Sequence, residues 1–418
     1  MAQRVPYCVG EWLPSDQVIF DQWAQKLIEE LDKTVPSETS PGGKLHPVVQ
    51  NFKDAIESNV ELAIFFNQMF ANIPTKHKNI PSQIRDYHHM LRLINHVITR
   101  APECNDNMWA ALPITAILFR PMGTIGGYAA FLNSKVNFHL KNILNAWGEF
   151  LKSPKSCYVL TTDGWFSATA MKRLGGNFEA NFICDPSKPH YGFTSWDDFF
   201  TRELRPNARP VAYPDDHKVI ISACEAAPFK VQMDVAQHAT FWIKGEAYNL
   251  KFMLADDPLV DKFVGGTVYQ AYLSESSYHR WHSPVDGKIV KAYVADGTYY
   301  SVPLIDSCEN LTNPRTSQDY LVNVQTRALI FIEANHPCIG LMCFIAVGMT
   351  EVSSCEITIN EGQRVQKGQQ TGMFHYGGST YCLIFQSGVE LEFDFHGETP
   401  GITAKNILIN SRIAAVLE

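Results

Sequence analysis

Thr371-Gly-Met-Phe-His-Tyr376, Gly377-Gly378-Ser379-Thr380 and Tyr381-Cys-Leu-Ile-Phe385 run consecutively near the C-terminus. The two outer pieces are short and apolar, and they read as strands on either side of a tight connection. Glycine lacks a Cβ and reaches backbone angles closed to other residues, so the carbonyl of Gly378 is open to close approach. The Ser379 hydroxyl can therefore reach the peptide bond just before it. Attack there breaks the chain and leaves residue 379 at the head of a short C-terminal piece. Taken alone, the four central residues fit an ordinary glycine-rich hairpin turn better.

Working upstream, short apolar stretches separated by turn signals recur from about residue 219. They are Val219–Ile221, Thr267–Leu273, Lys288–Val294, Ala328–Ile332, Leu341–Val347, Ser353–Thr358, Thr380–Phe385 and Val389–Phe395, punctuated by Gly287, Gly297, Gly340, Gly362 and Gly368. This pattern predicts an antiparallel β-rich domain, a barrel or a sandwich. The first 180 or so residues follow helical spacing instead: Ile19, Trp23, Leu27, Leu31; Ile84, Tyr87, Leu91, Ile94, Ile98; Val136, Leu140, Ile143, Trp147, Leu151. Pro36–Pro47 reads as a loop and Gly123–Gly127 as a turn. The fold class expected is α+β, with a helical N-terminal domain at 1–185 and a β-rich domain at 186–418.

Composition narrows the function classes. The 418 residues are 45% hydrophobic and 19% charged, with a formal charge of −8, which argues against a nucleic-acid surface or strong attraction to anionic lipid. Ten cysteines are scattered without a CxxC pair, so neither a zinc site nor a disulfide framework is expected. The N-terminal residues lack an apolar core of signal-peptide length, and the longest apolar run, Met108–Phe119, is interrupted by Pro113. A cytoplasmic protein without an integral membrane segment is expected. His88, His89 and His96 read as helix-surface residues rather than as metal ligands.

Two further patches hold chemically versatile side chains. In Tyr278-His279-Arg280-Trp281-His282-Ser283-Pro284-Val285-Asp286-Gly287, two histidines stand three apart before a turn. Imidazole suits proton transfer because its pKa lies near neutrality. In Ser222-Ala-Cys-Glu225-Ala-Ala-Pro228, Glu225 is a lone acid among small residues. It can orient a histidine in a serine–histidine–acid arrangement, and Asp286 competes for that role.

The three patches together, in this order, resemble the phosphatidylserine decarboxylase family. The resemblance extends to Gly192-Phe-Thr-Ser-Trp-Asp-Asp-Phe-Phe-Thr-Arg-Glu-Leu-Arg-Pro206, Ala208-Arg-Pro210, Lys244-Gly245, Tyr248-Asn-Leu250, Gly297-Thr-Tyr-Tyr300 and Glu361-Gly362. It covers roughly residues 190–400. The helical region, with Cys224-Glu225 and Gly348-Met-Thr-Glu351, is similar to the fungal soluble L-tryptophan decarboxylase branch of that family.

The resemblance implies a self-processing proenzyme cut between Gly378 and Ser379. Ser379 matches the cleavage nucleophile that becomes a covalent pyruvoyl group, which replaces pyridoxal phosphate. His282 matches the general base for cleavage, and His279 a proton donor in decarboxylation. Glu225 stands where the family usually has aspartate followed by glycine, so its carboxylate reaches one methylene further. The substrate expected is a free aromatic L-amino acid, with L-tryptophan favoured and phosphatidylserine as the alternative. The α and β chains are expected to stay associated, as a monomer or homodimer, with no metal. A serine hydrolase using Ser379, His282 and Glu225, and a non-catalytic binding protein on the same fold, are the readings from other classes.

Overall fold

The computed structural model describes residues 17–34, 44–71, 84–104, 112–238, 248–274, 276–303, 318–352, 354–376, 379–401 and 403–417. Gly377, Gly378, Ser353, Lys244-Gly245, most of the 36–47 loop and the start of the 108–119 apolar run lie outside them. The chain forms two compact units. One comprises the described residues within Met1–Gly176, Asp185–Phe199 and Thr298–Ser317; the other comprises those within Asn177–Cys184, Phe200–Gly297 and Gln318–Glu418. A single division after residue 185 would put 186–199 and 298–303 in the second domain; by compactness they belong to the first.

The first unit is helical: α1 (Gln17–Thr34), α2 (Pro47–Ser58), α3 (Val60–Ala71), α4 (Tyr87–Val97), α5 (Pro113–Met122), α6 (Ile125–Leu132), α7 (Ser134–Leu151) and α8 (Ala168–Arg173). Pro113 does not interrupt a helix but starts α5, where its missing N–H has no intrahelical partner to lose. The 123–127 turn is half helix. Thr124 caps α6 by accepting from Gly127 N, and a Cβ on Gly126 would lie 2.7 Å from Met69 N in α3. Close helix approach, rather than turn geometry, explains that glycine. Expected as surface groups, the α4 histidines differ. His88 is exposed beside Glu57, whereas His89 is buried and its Nδ1 accepts from Arg85 N at 3.3 Å. Tyr299 and Tyr300 also belong to this unit, against Asn137 and Phe131 respectively. Among the described residues no helix is long and apolar enough to cross a membrane.

The second unit is antiparallel β with short helices, including α9 (Phe178–Asn181), α11 (Leu250–Met253) and α12 (Gln318–Val324); α10 (Trp196–Phe200) ends at the change of unit. Its strands are β1 (Val219–Ile221), β2 (Ala227–Val235), β3 (Gly266–Leu273), β4 (Arg280–His282), β5 (Gly287–Ala295), β6 (Arg327–Ala334), β7 (Leu341–Gly348), β8 (Ser354–Ile357), β9 (Arg364–Val365), β10 (Gln370–His375), β11 (Ser379–Phe385), β12 (Leu391–Phe393) and β13 (Arg412–Val416). The main sheet has the order β2-β3-β11-β7-β6-β5-β9, and two three-stranded sheets have the orders β1-β13-β12 and β4-β10-β8. Among the described residues the main sheet is open, so the barrel alternative falls away and the packing is sandwich-like.

Alternation along β11 divides the core. Cys382 and Ile384 join Val268, Leu329, Phe331, Cys343 and Ile345 in a cluster with Leu250, Met253 and Val322 of the short helices. On the opposite face Tyr381 meets Phe344 and Tyr269, which meet Trp281 of β4 and Phe393 of β12. The two small sheets thus cover one face of the large sheet. Trp281 fits over Gly372 so closely that an added Cβ would lie 2.5 Å from its ring and 2.4 Å from Glu356 O. Gly372→Ala is therefore expected to lower unfolding stability by about 1–3 kcal/mol, read as a reduced denaturation midpoint. An unchanged midpoint would show that the β4–β10 layer yields freely.

Candidate active site

Ser379 opens β11, paired with Leu273 of β3 on one side and Gly348 of β7 on the other. The backbone at its flanks is unusual. Tyr376 has φ 37° and Thr350, just beyond Gly348, has φ 55°. Left-handed angles are uncommon in non-glycine residues and unfavourable for a β-branched one, and they persist where surrounding contacts enforce them. Both residues are buried, as is Glu351. Burial and then the Glu351 charge push the Tyr376 phenol well up.

His279 is linked to Tyr376 through aromatic packing. Its ring stacks on Phe200 at 4.3 Å between centroids, and Phe200 meets Tyr376 edge-on at 5.9 Å. Its carbonyl accepts from Phe374 N at 3.0 Å, which ties the segment before β4 to the end of β10. Burial and, second, the Arg202 guanidinium hold its imidazole well below the usual histidine range. Arg202 donates to the carbonyls of Ser276 and Ser277 at 2.7 and 3.1 Å and lies over the Phe182 ring at 4.5 Å. Its own pKa is pulled to about 10 by burial, so it stays charged at neutrality.

His282 ends β4, with its backbone N–H donating to Ala223 O at 2.9 Å. Its Nδ1 lies 3.2 Å from Asn410 Oδ1, and its Nε2 lies 3.3 Å from the Tyr278 hydroxyl. Asn410 Nδ2 donates to Arg209 O at 2.8 Å. That bond turns the amide so that its oxygen faces His282, which requires a proton on Nδ1. The lone pair is left on Nε2, where it accepts from the Tyr278 hydroxyl, so a serine proton reaches this nitrogen only when that bond opens. Burial lowers the pKa to about 4; the Asn410 bond opposes the shift and the Arg280 charge adds to it.

The acid expected on His282 is an amide in the structure. Glu225 is instead held by Arg209 through two parallel bonds, Nε to Oε2 at 3.0 Å and Nη2 to Oε1 at 3.1 Å. The guanidinium fork matches a carboxylate, and Arg209 is fixed in turn by Asn181 Oδ1 and Ala208 O. Asp286 does not serve either. Its carboxylate lies 2.9 Å from His217 Nδ1 and accepts from Lys367 N at 3.0 Å. The route from Glu225 to the imidazole thus runs through Arg209 and Asn410. Nothing in the sequence points to Asn410, which lies 128 residues from His282. Its left-handed φ of 70° is one that asparagine tolerates, so it reads only as a turn residue.

A phosphatidylserine decarboxylase family model matches residues 196–401, and a second model of the same description matches residues 46–174. The decarboxylase iboD of Amanita muscaria is 42% identical over 324 residues, which are 73% of this chain and 91% of that protein. The chain belongs to the phosphatidylserine decarboxylase family. Membership makes it a carboxy-lyase of the self-processing kind. The L-tryptophan decarboxylase of Psilocybe cubensis is 33% identical over 97% of this chain and 94% of its own length. A phosphatidylserine decarboxylase proenzyme of Chlamydia caviae is 31% identical over 55% of this chain and 74% of its own.

An imidazole already neutral at physiological pH gives a defined pH signature to any step in which it takes up a proton. The cleavage rate is expected to be flat from about pH 8 down to about pH 5 and to fall as pH drops through about 4, where the imidazole takes up a proton. Stability carries the same sign. The unfolded imidazole protonates near pH 6.5 and the folded one not until about 4, so stability is lost as pH falls through that window. Time courses of chain cleavage across pH check this; a midpoint near 6.5 would show an imidazole outside this environment.

Proposed function

We propose that this chain is a pyruvoyl-dependent decarboxylase of a free aromatic L-amino acid, with L-tryptophan favoured, matured by serinolysis between Gly378 and Ser379. The observation that carries the proposal is the buried, neutral His282 with its lone pair on Nε2, in a family of self-processing proenzymes. Support for the substrate comes from a relative named L-tryptophan decarboxylase that aligns over the helical unit as well as the β unit. The Chlamydia proenzyme matches only about half of the chain and supports phosphatidylserine as the second reading. A serine hydrolase is less well supported, since the relatives that align with the chain carry decarboxylase names.

Cleavage follows from groups of the chain itself. His282 Nε2 takes the Ser379 proton, the oxygen attacks the Gly378 carbonyl, and the proton passes to the peptide nitrogen as it leaves, giving an ester and a free amine at residue 379. Loss of the residue 379 α-proton to a base, with departure of the Gly378 carboxylate, leaves dehydroalanine at 379, and water then releases ammonia and forms the pyruvoyl group. The residues present fit that group: position 379 heads a doubly paired central strand, beside a partner, Gly348, without a side chain. When formed, it supplies the electron sink that pyridoxal phosphate supplies elsewhere. His279 passes a proton to the former α-carbon; burial keeps its imidazole neutral in the uncut chain, so it must first take that proton up once substrate is bound, with Phe200 and Arg202 fixing its ring and its segment. Glu225 acts at two removes: it holds the Arg209 guanidinium, and the Arg209 backbone carbonyl in turn orients Asn410.

The test combines intact-mass measurement with a substrate panel. Two chains beginning at residues 1 and 379, the latter blocked by a pyruvoyl group, together with amine formation from L-tryptophan, are the expected result. Turnover of phosphatidylserine vesicles with none of free tryptophan, phenylalanine or tyrosine would reverse the order of the two readings. A single uncut chain with hydrolase activity would overturn both.

A further inference from the structure

Gln270 is a fully buried amide in the middle of β3, all of whose residues are buried. It shares a sheet face with Val268, Cys382, Ile345 and Val347, part of the apolar cluster. A polar group there costs stability unless every donor and acceptor is used. In this case they are. The Tyr248 hydroxyl donates to Gln270 Oε1 at 2.6 Å. Gln270 Nε2 donates to Thr380 Oγ1 at 3.1 Å and points a longer contact of 3.5 Å at Gln318 O. The Thr380 hydroxyl donates in turn to Ala271 O at 2.8 Å. The chain has one consistent direction, from Tyr248 to the backbone of β3, and it lies within the sheet's most apolar layer.

The polar chain ends on the residue directly after Ser379. Thr380 pairs with Tyr272 and Val347, and Gln270 stands opposite Cys382, one diagonal step away on the same face. Bonded on both sides, a β-branched threonine is held in one rotamer. We propose that Tyr248, Gln270 and Thr380 are positioning residues for the reaction centre: they fix the peptide between 379 and 380, and so the placement of residue 379 in cleavage and afterwards in decarboxylation. This rests on the reading of Ser379 as the cleaved and converted residue.

A purely structural role makes the opposite forecast. Valine at 380, leucine at 270 and phenylalanine at 248 would suit the surrounding apolar cluster, and replacing all partners of a buried network by apolar groups of similar shape is nearly neutral for stability or better. The experiment uses the full chain with Tyr248→Phe, Thr380→Val, Thr380→Ser and the triple replacement Tyr248→Phe/Gln270→Leu/Thr380→Val. Cleavage is followed by intact mass, stability by Tm, and kcat and KM for L-tryptophan are measured on the cleaved fraction.

The expected result is cleavage about tenfold slower in Tyr248→Phe and about a hundredfold slower in Thr380→Val and the triple variant. KM should be little changed, kcat reduced, Tm of the triple variant at or above wild type, and Thr380→Ser close to wild type. Wild-type cleavage and kcat in the triple variant would overturn the positioning role alone. So would a loss of activity that follows Tm and is not restored by serine. A folded wild-type chain that stays uncut would instead overturn the cleavage reading beneath it, and the proposal with it.

Discussion

Ser379→Ala is expected to leave one uncut chain of 47.1 kDa with decarboxylase activity below about one part in 10⁴ of wild type. The reason goes beyond the loss of a nucleophile. Under the proposed maturation Ser379 is consumed, and an alanine at 379 offers neither an oxygen to attack Gly378 nor a route to the carbonyl that serves as electron sink. Folding should be unaffected, because the strand pairing of residue 379 with Leu273 and Gly348 is a backbone property. The measurement is intact mass with amine formation. An uncut Ser379→Ala chain with wild-type turnover would remove the pyruvoyl group from the mechanism.

The second large effect separates the two histidines. His282→Gln is expected to slow cleavage by about 10²–10⁴-fold, the usual contribution of a positioned base, and to yield mostly precursor. His279→Gln is expected to cleave at a near-normal rate and then to decarboxylate about 10²–10⁴-fold more slowly. The division belongs to the proposed roles, and the two rings sit in different surroundings. His282 has its tautomer set by Asn410, while His279 stacks on Phe200, which in turn meets Tyr376. Timed mass spectra and single-turnover amine release on the same samples distinguish the steps. If both variants block cleavage equally, the two imidazoles share one role and the proposed separation is wrong.

How much of this could be read from the residues differs between strands and site. The buried central strands announce themselves as continuous apolar runs, and β3, β6, β7 and β11 fall close to the expected stretches. β2 does not form such a run: Lys230, Gln232 and Asp234 alternate with Val231, Met233 and Val235, the period-2 pattern of a half-exposed end strand. β4, only three residues long, is hidden inside the histidine patch. At the site, Glu225 and His282 look like acid and base of one triad, because both are titratable and the family pairs an acid with that histidine. The structure inserts Arg209 and Asn410 between them. An arginine fork captures a carboxylate in preference to an imidazole edge, and an amide from a distant turn leaves no pattern of spacing to read. Gln270 escapes notice for the opposite reason: a single polar residue in an apolar strand looks like an interruption, and its meaning lies in the diagonal neighbour that folding supplies.

The place of β11 has a consequence for the life of the molecule after the cut. The piece that begins at residue 379 holds this central strand, seated between β3 and β7, and also β12 and β13. Before cleavage these strands are delivered by the same chain that needs them, and refolding is a first-order event. Once cut, they form a separate small polypeptide whose vacant slot would expose two long strand edges. Denatured mature enzyme should therefore regain its fold at a rate that depends on concentration, and poorly when dilute, whereas uncut Ser379→Ala refolds independently of dilution. Maturation would make the native structure a state reached once, from the precursor, and kept afterwards by the slowness of strand departure.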